Sequence, residues 1–395
     1  MLRINTQTDK LHPQPAHSVS QHRRQRITSP PNGPQTQSQA NAGTEPMKAL
    51  ITANFSDESL TRLTDELGMD VEYLPIADRD GRLPEDELQA HLRDTEVLIV
   101  GYEGIPEHLL DEADALQIIA CARGGPDANV DIDAATEREI PVLYAPGRNA
   151  VSVADFTWGE ILSLMRNIAH GHHLLHTGTY TGDARADAAG GGSREDVTWG
   201  MGNDSPYVQL KGPELAGKTV GIIGMGAVGR EVAKRAQGFD VDLLGFDPYI
   251  DADAMAEHKT EKTELDELLR ESDIVTVHVP VTDSTRGLIG GDEFEMMKES
   301  AYFINNARGA IIDQEALIDQ LQSGGIRGAA LDVYDMEPIP EDHPLLDFDN
   351  VVTTPHLAGA AEEVIDRHSE MLVDDIEAVL NDSDPTHVAN EESLS

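Results

Sequence analysis

Between Lys218 and Asp247 the chain reads KTVGIIGMGAVGREVAKRAQGFDVDLLGFD: an apolar run, three glycines spaced G-x-G-x-x-G, a helix pattern, and a second apolar run ending on aspartate. A strand that feeds a glycine turn and then a helix belongs to a parallel sheet with helical crossovers, and few architectures accept that order. Each glycine has a separate task. Gly224 permits the tight turn, Gly226 lets backbone N–H groups approach a pyrophosphate, and Gly229 lets the helix, expected to start near Val228, pack closely on the strand. The N-terminus of that helix adds partial positive charge. Asp247 lies eighteen residues beyond Gly229. A carboxylate there accepts hydrogen bonds from ribose hydroxyls and repels a 2′-phosphate, so the expected dinucleotide is NAD.

The same alternation runs through the rest of the chain. Apolar runs at 49–53, 97–101, 118–121 and 142–144 precede the glycine motif, and runs at 274–279, 302–305, 328–333 and 351–354 follow it, with amphipathic helices between. The expected fold is α/β, two Rossmann-like domains with parallel sheets, the first of them flavodoxin-like. At 395 residues and 39% hydrophobic composition the chain can bury two cores. Residues 47–150 with 357–385 are assigned to a substrate-binding domain and 151–356 to a nucleotide-binding domain. Residues 1–46, rich in Gln, Pro, Ser and Asn with no apolar period, read as a disordered tail. One long helix is expected from about Ser152 to His176, with Trp158 and Met165 at the face of a homodimer, and a Gly-rich surface insertion over 177–217.

Charge excludes some partners. With 72 acidic against 29 basic residues the formal net charge is −43, which repels a polyanionic backbone, so no nucleic acid is expected. Such self-repulsion opposes compaction in dilute buffer, whereas in molar salt the screening length falls to ~3 Å. Because the acids are spread along the chain, the reading is a halophilic protein. The single cysteine, Cys121, rules out an intrachain disulfide and multi-Cys metal sites, and its strand-like surroundings predict a buried, inert thiol. His170, His172, His173 and His176 have no carboxylate or thiol nearby to complete a ligand set; they read as a solvated helix face, and no metal is expected. No run reaches the ~18 apolar residues of a membrane span, and the N-terminus lacks a secretory core, so a cytoplasmic location is expected.

Three further segments follow the glycine motif: NNARGAIID (305–313), LDVYDMEP (331–338) and TTPHLAG (353–359). Reduction of a 2-keto acid needs a cation for the carboxylate and ketone, a proton donor for the developing alkoxide, and a hydride donor. Arg308 presents a planar fork suited to carboxylate. Histidine has a reference pKa near ~6.5, so His356 suits the role of proton donor in reduction or acceptor in oxidation. Glu337 favours the imidazolium and orients its ring.

In these motifs, in their order behind the glycine fingerprint, the chain resembles the D-isomer-specific 2-hydroxyacid dehydrogenases over about residues 47–380. The resemblance implies an NAD-dependent enzyme that interconverts a small D-2-hydroxy acid and its 2-keto acid, with Arg308, Glu337 and His356 catalytic. It places Gly224, Gly226, Ala227, Val228 and Gly229 on the pyrophosphate. It sets Val279 and Pro280 on the adenosine side, Asn306 and Ala307 beside the nicotinamide, and Asp332 on its carboxamide. Gly101, Arg123, Gly124 and Gly125 of the first domain are implied substrate contacts, the glycines through backbone N–H groups. Phosphoglycerate dehydrogenases usually carry arginines in those loops. Here Tyr102 and Glu103 occupy the first loop and Arg123 is displaced by one position, so phosphoglycerate, glyoxylate and hydroxypyruvate all stay open. Some relatives on this fold act as NAD-sensing corepressors, the alternative reading.

Overall fold

The structure, a computed structural model, describes residues 45–181, 203 and 205–391. Nearly all of the expected tail and the centre of the expected insertion lie outside the described residues. The remainder, from Pro46 onward, is one compact unit.

Two sheets organise it, and every strand pair in both is parallel. The first has β1 (Lys48–Ile51), β2 (Asp70–Tyr73), β3 (Val97–Val100), β4 (Ile118–Cys121) and β5 (Val142–Tyr144) in the order β2-β1-β3-β4-β5, the flavodoxin-like order. The second has β6 (Thr219–Ile223), β7 (Asp242–Phe246), β8 (Glu261–Lys262), β9 (Ile274–Val277), β10 (Tyr302–Asn305), β11 (Gly328–Leu331) and β12 (Val351–Thr353), in the order β12-β11-β10-β9-β6-β7-β8. Read from β6 outward, that is the Rossmann order with one strand added. Strands β3, β4, β9, β10 and β11 are buried at every position, because helices cover both faces. Cys121 is fully buried, and burial pushes its thiol up to about 11, away from reactivity.

The expected long helix is two helices, Ala150–Met165 and Ile168–His176. Asn167 breaks it with a left-handed φ of 53°, which asparagine tolerates better than most residues, and its Nδ2 donates to Leu210 O at 3.1 Å. Trp158 and Met165, expected at a dimer face, do not lie on the surface of the chain. Both are buried in the chain's own core, where Trp158 stacks on Phe239 and donates to Val232 O at 3.0 Å. The stripe is apolar as expected, but a crossing helix of the same chain covers it. His172 and His176 lie ring to ring at 4.1 Å, and no group of three metal-ligating residues occurs among the described residues. No helix of the described residues is long and apolar enough to cross a membrane.

The chain returns to the first sheet at its end. Leu372, Val373 and Ile376 of the helix Glu363–Leu380 are buried with β1, β3 and β4 in one core. Beyond it, Val388 bridges Leu143 in antiparallel sense, Ala389 N donates to Val142 O, and Val142 N donates to Asn390 Oδ1. The unpaired edge of β5 is thereby covered, a role that the acidic composition of this segment did not announce.

Candidate active site

Ligands of open parallel sheets bind where strand order reverses, outside the carboxyl ends of the strands. In the second sheet that point lies between β6 and β9. Gly224, which ends β6, has φ +95°, and a Cβ there would stand 2.6 Å from His278 O beyond β9, so glycine is required twice over. Gly226 faces open space, and the helix begins at Ala227. Asp247 Oδ2 accepts from Met225 N and Oδ1 from Tyr249 N, both at 2.9 Å. A carboxylate has about four acceptor sites, so Asp247 ties down the glycine turn and still has lone pairs for ribose hydroxyls. The open cradle, the helix N-terminus and the acidic strand end fit a dinucleotide with a free 2′-hydroxyl. Val279 flanks the same turn, against Gly224, and Pro280 is exposed next to it.

Arg308 is exposed between buried Ala307 and buried Gly309. Asn305 shapes the loop, its Oδ1 accepting from Ala307 N and its Nδ2 donating to Arg308 O, both at 3.0 Å. A Cβ on Gly309 would stand 2.1 Å from Tyr334 O, so only glycine lets this loop press against the one that carries Glu337. Glu337 Oε1 accepts from Tyr334 N at 3.1 Å, and Oε2 meets His356 Nδ1 at 2.8 Å. Partial burial opposes ionisation of Glu337. The His356 ring, the Tyr334 amide and the Arg308 charge outweigh it and hold the carboxyl below its usual range. His356 has φ +58°, a strained backbone for this residue type of the kind that clusters at reactive sites. Glu337 and His356 thus touch beyond the carboxyl ends of β11 and β12, and Arg308, beyond β10, is near enough for its charge to act on Glu337.

Asp332 and Asn306, two expected cofactor contacts, each hold partners within the protein. Asp332 is fully buried and accepts from Leu357 N and Ala358 N at 2.7 Å and from Thr354 Oγ1 at 2.6 Å, so it caps the His356 loop. The Asn306 side chain turns inward and donates to Thr157 Oγ1. Unsatisfied buried amides cost ~1–3 kcal/mol each, which is what Asp332 avoids by closing the loop.

The carboxyl edge of the first sheet supplies the remaining predicted positions. Gly101 N, an expected substrate contact, donates to Thr52 Oγ1 at 3.4 Å. The Gly124 and Gly125 amides engage no other group among the described residues. Glu103 is buried and paired with Arg79 at 2.9 Å, so its charge is withdrawn from the loop. Arg123 lies 5.3 Å over the Tyr102 ring and reaches Asn129 Oδ1 at 3.3 Å. Close by stands Arg148, after β5, which the sequence reading did not single out. Its Nη1 donates to His368 Nδ1 at 3.3 Å, while His368 Nε2 donates to Asn54 O, and burial pushes that ring down to about 4, leaving it neutral. Burial and the Arg123 charge hold Arg148 below the usual arginine range. Neither arginine has a carboxylate partner among the described residues, in a chain of net charge −43. The loop of Arg148 also touches the nucleotide side, since a Cβ on Gly147 would meet Ala227 Cβ at 3.0 Å.

Known proteins agree with this geometry. Residues 158–358 match the D-isomer specific 2-hydroxyacid dehydrogenase NAD binding domain. A glyoxylate reductase of Thermofilum pendens is 39% identical over 78% of this chain and 85% of its own length. A D-3-phosphoglycerate dehydrogenase of Methanocaldococcus jannaschii is 34% identical over 87% of this chain but only 59% of its own length. The crystal structure of a Thermus thermophilus protein superposes with a TM-score of 0.70 at 31% identity, covering 87% of this chain and all of that one. These oxidoreductase names do not favour the corepressor alternative. The fold and the glycine-turn cradle are joined here by sequence identity over most of the length, and the chain belongs to the D-isomer-specific 2-hydroxyacid dehydrogenases, NAD-dependent enzymes of D-2-hydroxy acids.

Proposed function

We propose that the chain reduces a small 2-keto acid carrying a second anionic group, or oxidises the matching D-2-hydroxy acid, with Arg308, Glu337 and His356 in the catalytic roles. The observation that supports this most is the 2.8 Å contact of His356 Nδ1 with Glu337 Oε2. It fixes the proton on Nδ1 and leaves Nε2, which has no partner among the described residues, to deliver or take the reacting proton. Arg308 binds the substrate carboxylate and polarises the ketone. Bound NAD supplies the hydride acceptor, or in reduced form the donor. Glu337 stabilises the imidazolium until its Nε2 proton passes to the alkoxide oxygen.

The first sheet with the helix Glu363–Leu380 is the substrate-binding domain on this reading, and the second sheet the NAD-binding domain. Arg123, Arg148 and the amides of Gly124 and Gly125 receive the rest of the substrate. Two uncompensated guanidiniums favour a carboxylate or phosphate there over the bare hydrogen of glyoxylate. Glyoxylate is the substrate named by the T. pendens relative, and phosphoglycerate by the M. jannaschii one. Arg148 supplies the second cation that displacement of Arg123 had put in doubt. The acidic surface suits a cytoplasm of high salt, and a homodimer is the expected assembly.

The test follows NADH loss with a panel of keto acids, including glyoxylate, hydroxypyruvate and phosphohydroxypyruvate, from dilute buffer to molar KCl. One dianionic acid is expected to be preferred, at a rate that rises with salt. Arg148→Ala should raise its KM by about tenfold while shifting glyoxylate less than about twofold. A panel with no turnover sinks the enzymatic reading; equal losses on both substrates sink the Arg148 assignment alone.

Coenzyme choice has its own test. Asp247→Ala is expected to narrow the preference for NADH over NADPH by about tenfold, through loss of charge-assisted bonds to the ribose and of repulsion toward a 2′-phosphate. An unchanged ratio of the two specificity constants contradicts the ribose assignment.

A further inference from the structure

Glu160, in the helix Ala150–Met165, is 4% exposed and takes no part in the chemistry above. It lies behind both reactive loops. Its Oε1 is 3.3 Å from Thr354 Oγ1, two residues before His356. Its other polar neighbour is Asn306, two residues before Arg308. Thr354 has a single hydroxyl proton, and Asp332 Oδ1 takes it at 2.6 Å. Asn306 Nδ2 donates to Thr157 Oγ1, whose own proton goes to Val153 O. Two buried oxygens are left without a donor: Glu160 Oε2 and Asn306 Oδ1.

With Asn306 Nδ2 given to Thr157, a proton on Glu160 Oε2 supplies the donor that Asn306 Oδ1 lacks and leaves no bare carboxylate oxygen in the core. We propose that Glu160 is a positioning residue, a neutral buried acid whose proton goes to Asn306 Oδ1. It thereby ties the Arg308 loop to the Thr354–Asp332 chain that caps the His356 loop. The inference rests on the reading that Arg308 and His356 act on substrate. Its surroundings agree with a neutral acid. The ionisable groups facing it are Asp332, beyond β11, and the Tyr334 phenol, and no cation acts on it from its own helix or from the packed elements. Burial pushes the carboxyl up to about 8 with the Asp332 charge adding to the push, and the hydrogen bonds of Asn306 and Thr354 offset only part of it.

The sign of the pH effect follows. Between the unfolded value near ~4.3 and the folded value, the native chain holds a proton that the unfolded chain has released, so this group's contribution to stability falls as pH rises through that window and is level above it. Ionisation also removes the donor to Asn306 and sets two anions side by side.

Glu160→Gln and Glu160→Leu in the full chain test this. Glutamine keeps an N–H donor for Asn306 and cannot ionise; leucine keeps neither polar atom. Infrared difference spectra between about pH 6 and pH 9 should show a buried protonated carboxyl in the wild type that both variants lack. The Gln variant should keep kcat within about threefold near pH 7, while the Leu variant loses about tenfold or more in kcat with little change in KM for NADH. The Gln variant should also show a shallower fall of Tm between about pH 6 and pH 8. Absence of the carboxyl band, or a Tm profile of the Gln variant that parallels the wild type, overturns the proposal, and both readouts survive if the Leu variant fails to fold. A wild type that shows the band yet reduces no keto acid overturns the functional reading and leaves the buried proton supported.

Discussion

Arg308→Gln is expected to lower kcat/KM for the preferred keto acid by about 10²–10³-fold, the loss typical of removing one preorganised electrostatic donor to a developing oxyanion. The reason is geometric as well as electrostatic. Arg308 stands on a loop held by Asn305 and pressed against Tyr334 through Gly309, and its Nη1 donates to Ala307 O at 2.6 Å, so its backbone is fixed before a carboxylate arrives. Lysine restores charge without the fork and should recover only part of the loss. The NADH dissociation constant, read by fluorescence, should stay within about threefold, since Arg308 lies apart from the glycine turn. A variant that keeps wild-type kcat/KM would remove Arg308 from the reaction.

His356→Gln should lower kcat by about 10²–10⁴-fold and flatten the pH–rate profile, because the amide can hydrogen-bond to Glu337 but cannot transfer a proton. Glu337→Gln should fall short of that loss, since the imidazole remains but its partner no longer carries charge. The acid limb of the wild type carries the sign. A carboxyl held below its usual range contributes fully above the unperturbed value near ~4.3 and loses that contribution as pH falls through its lower folded value. Rates after a brief acid jump should therefore persist below about pH 4.3 in the wild type and fail earlier in the Glu337→Gln variant. Coincident profiles for the two proteins would separate Glu337 from the chemistry.

Much of this site could be read from the chain because its signals are local. Strand, glycine turn, helix and Asp247 occur within one supersecondary unit, and each loop that carries a reactive residue directly follows a short apolar strand. What escaped depends on distant neighbours. Arg148 looks like any surface charge until the fold brings Arg123 beside it and withdraws Glu103 into the pair with Arg79. Glu160 occupies one turn of an apolar helix, and only the convergence of Asn306 and Thr354 gives it a task. Asp332 has the residue type expected of a ligand contact, and only the fold shows that it also holds the Leu357 and Ala358 amides. Asn167 broke a helix whose apolar period runs through it, because left-handed backbone leaves no mark on periodicity.

The return of residues 363–390 to the first sheet bears on how the molecule is made. Strands β6–β12 are contiguous, so their layer is complete once β12 has left the ribosome. The layer begun earlier waits for a helix and an edge segment synthesised after all twelve strands. The half built on β6–β12 can thus close ahead of the half that starts the chain, in which Ile51, Ile99 and Leu143 share one core with Leu372 and Ile376 of that late helix.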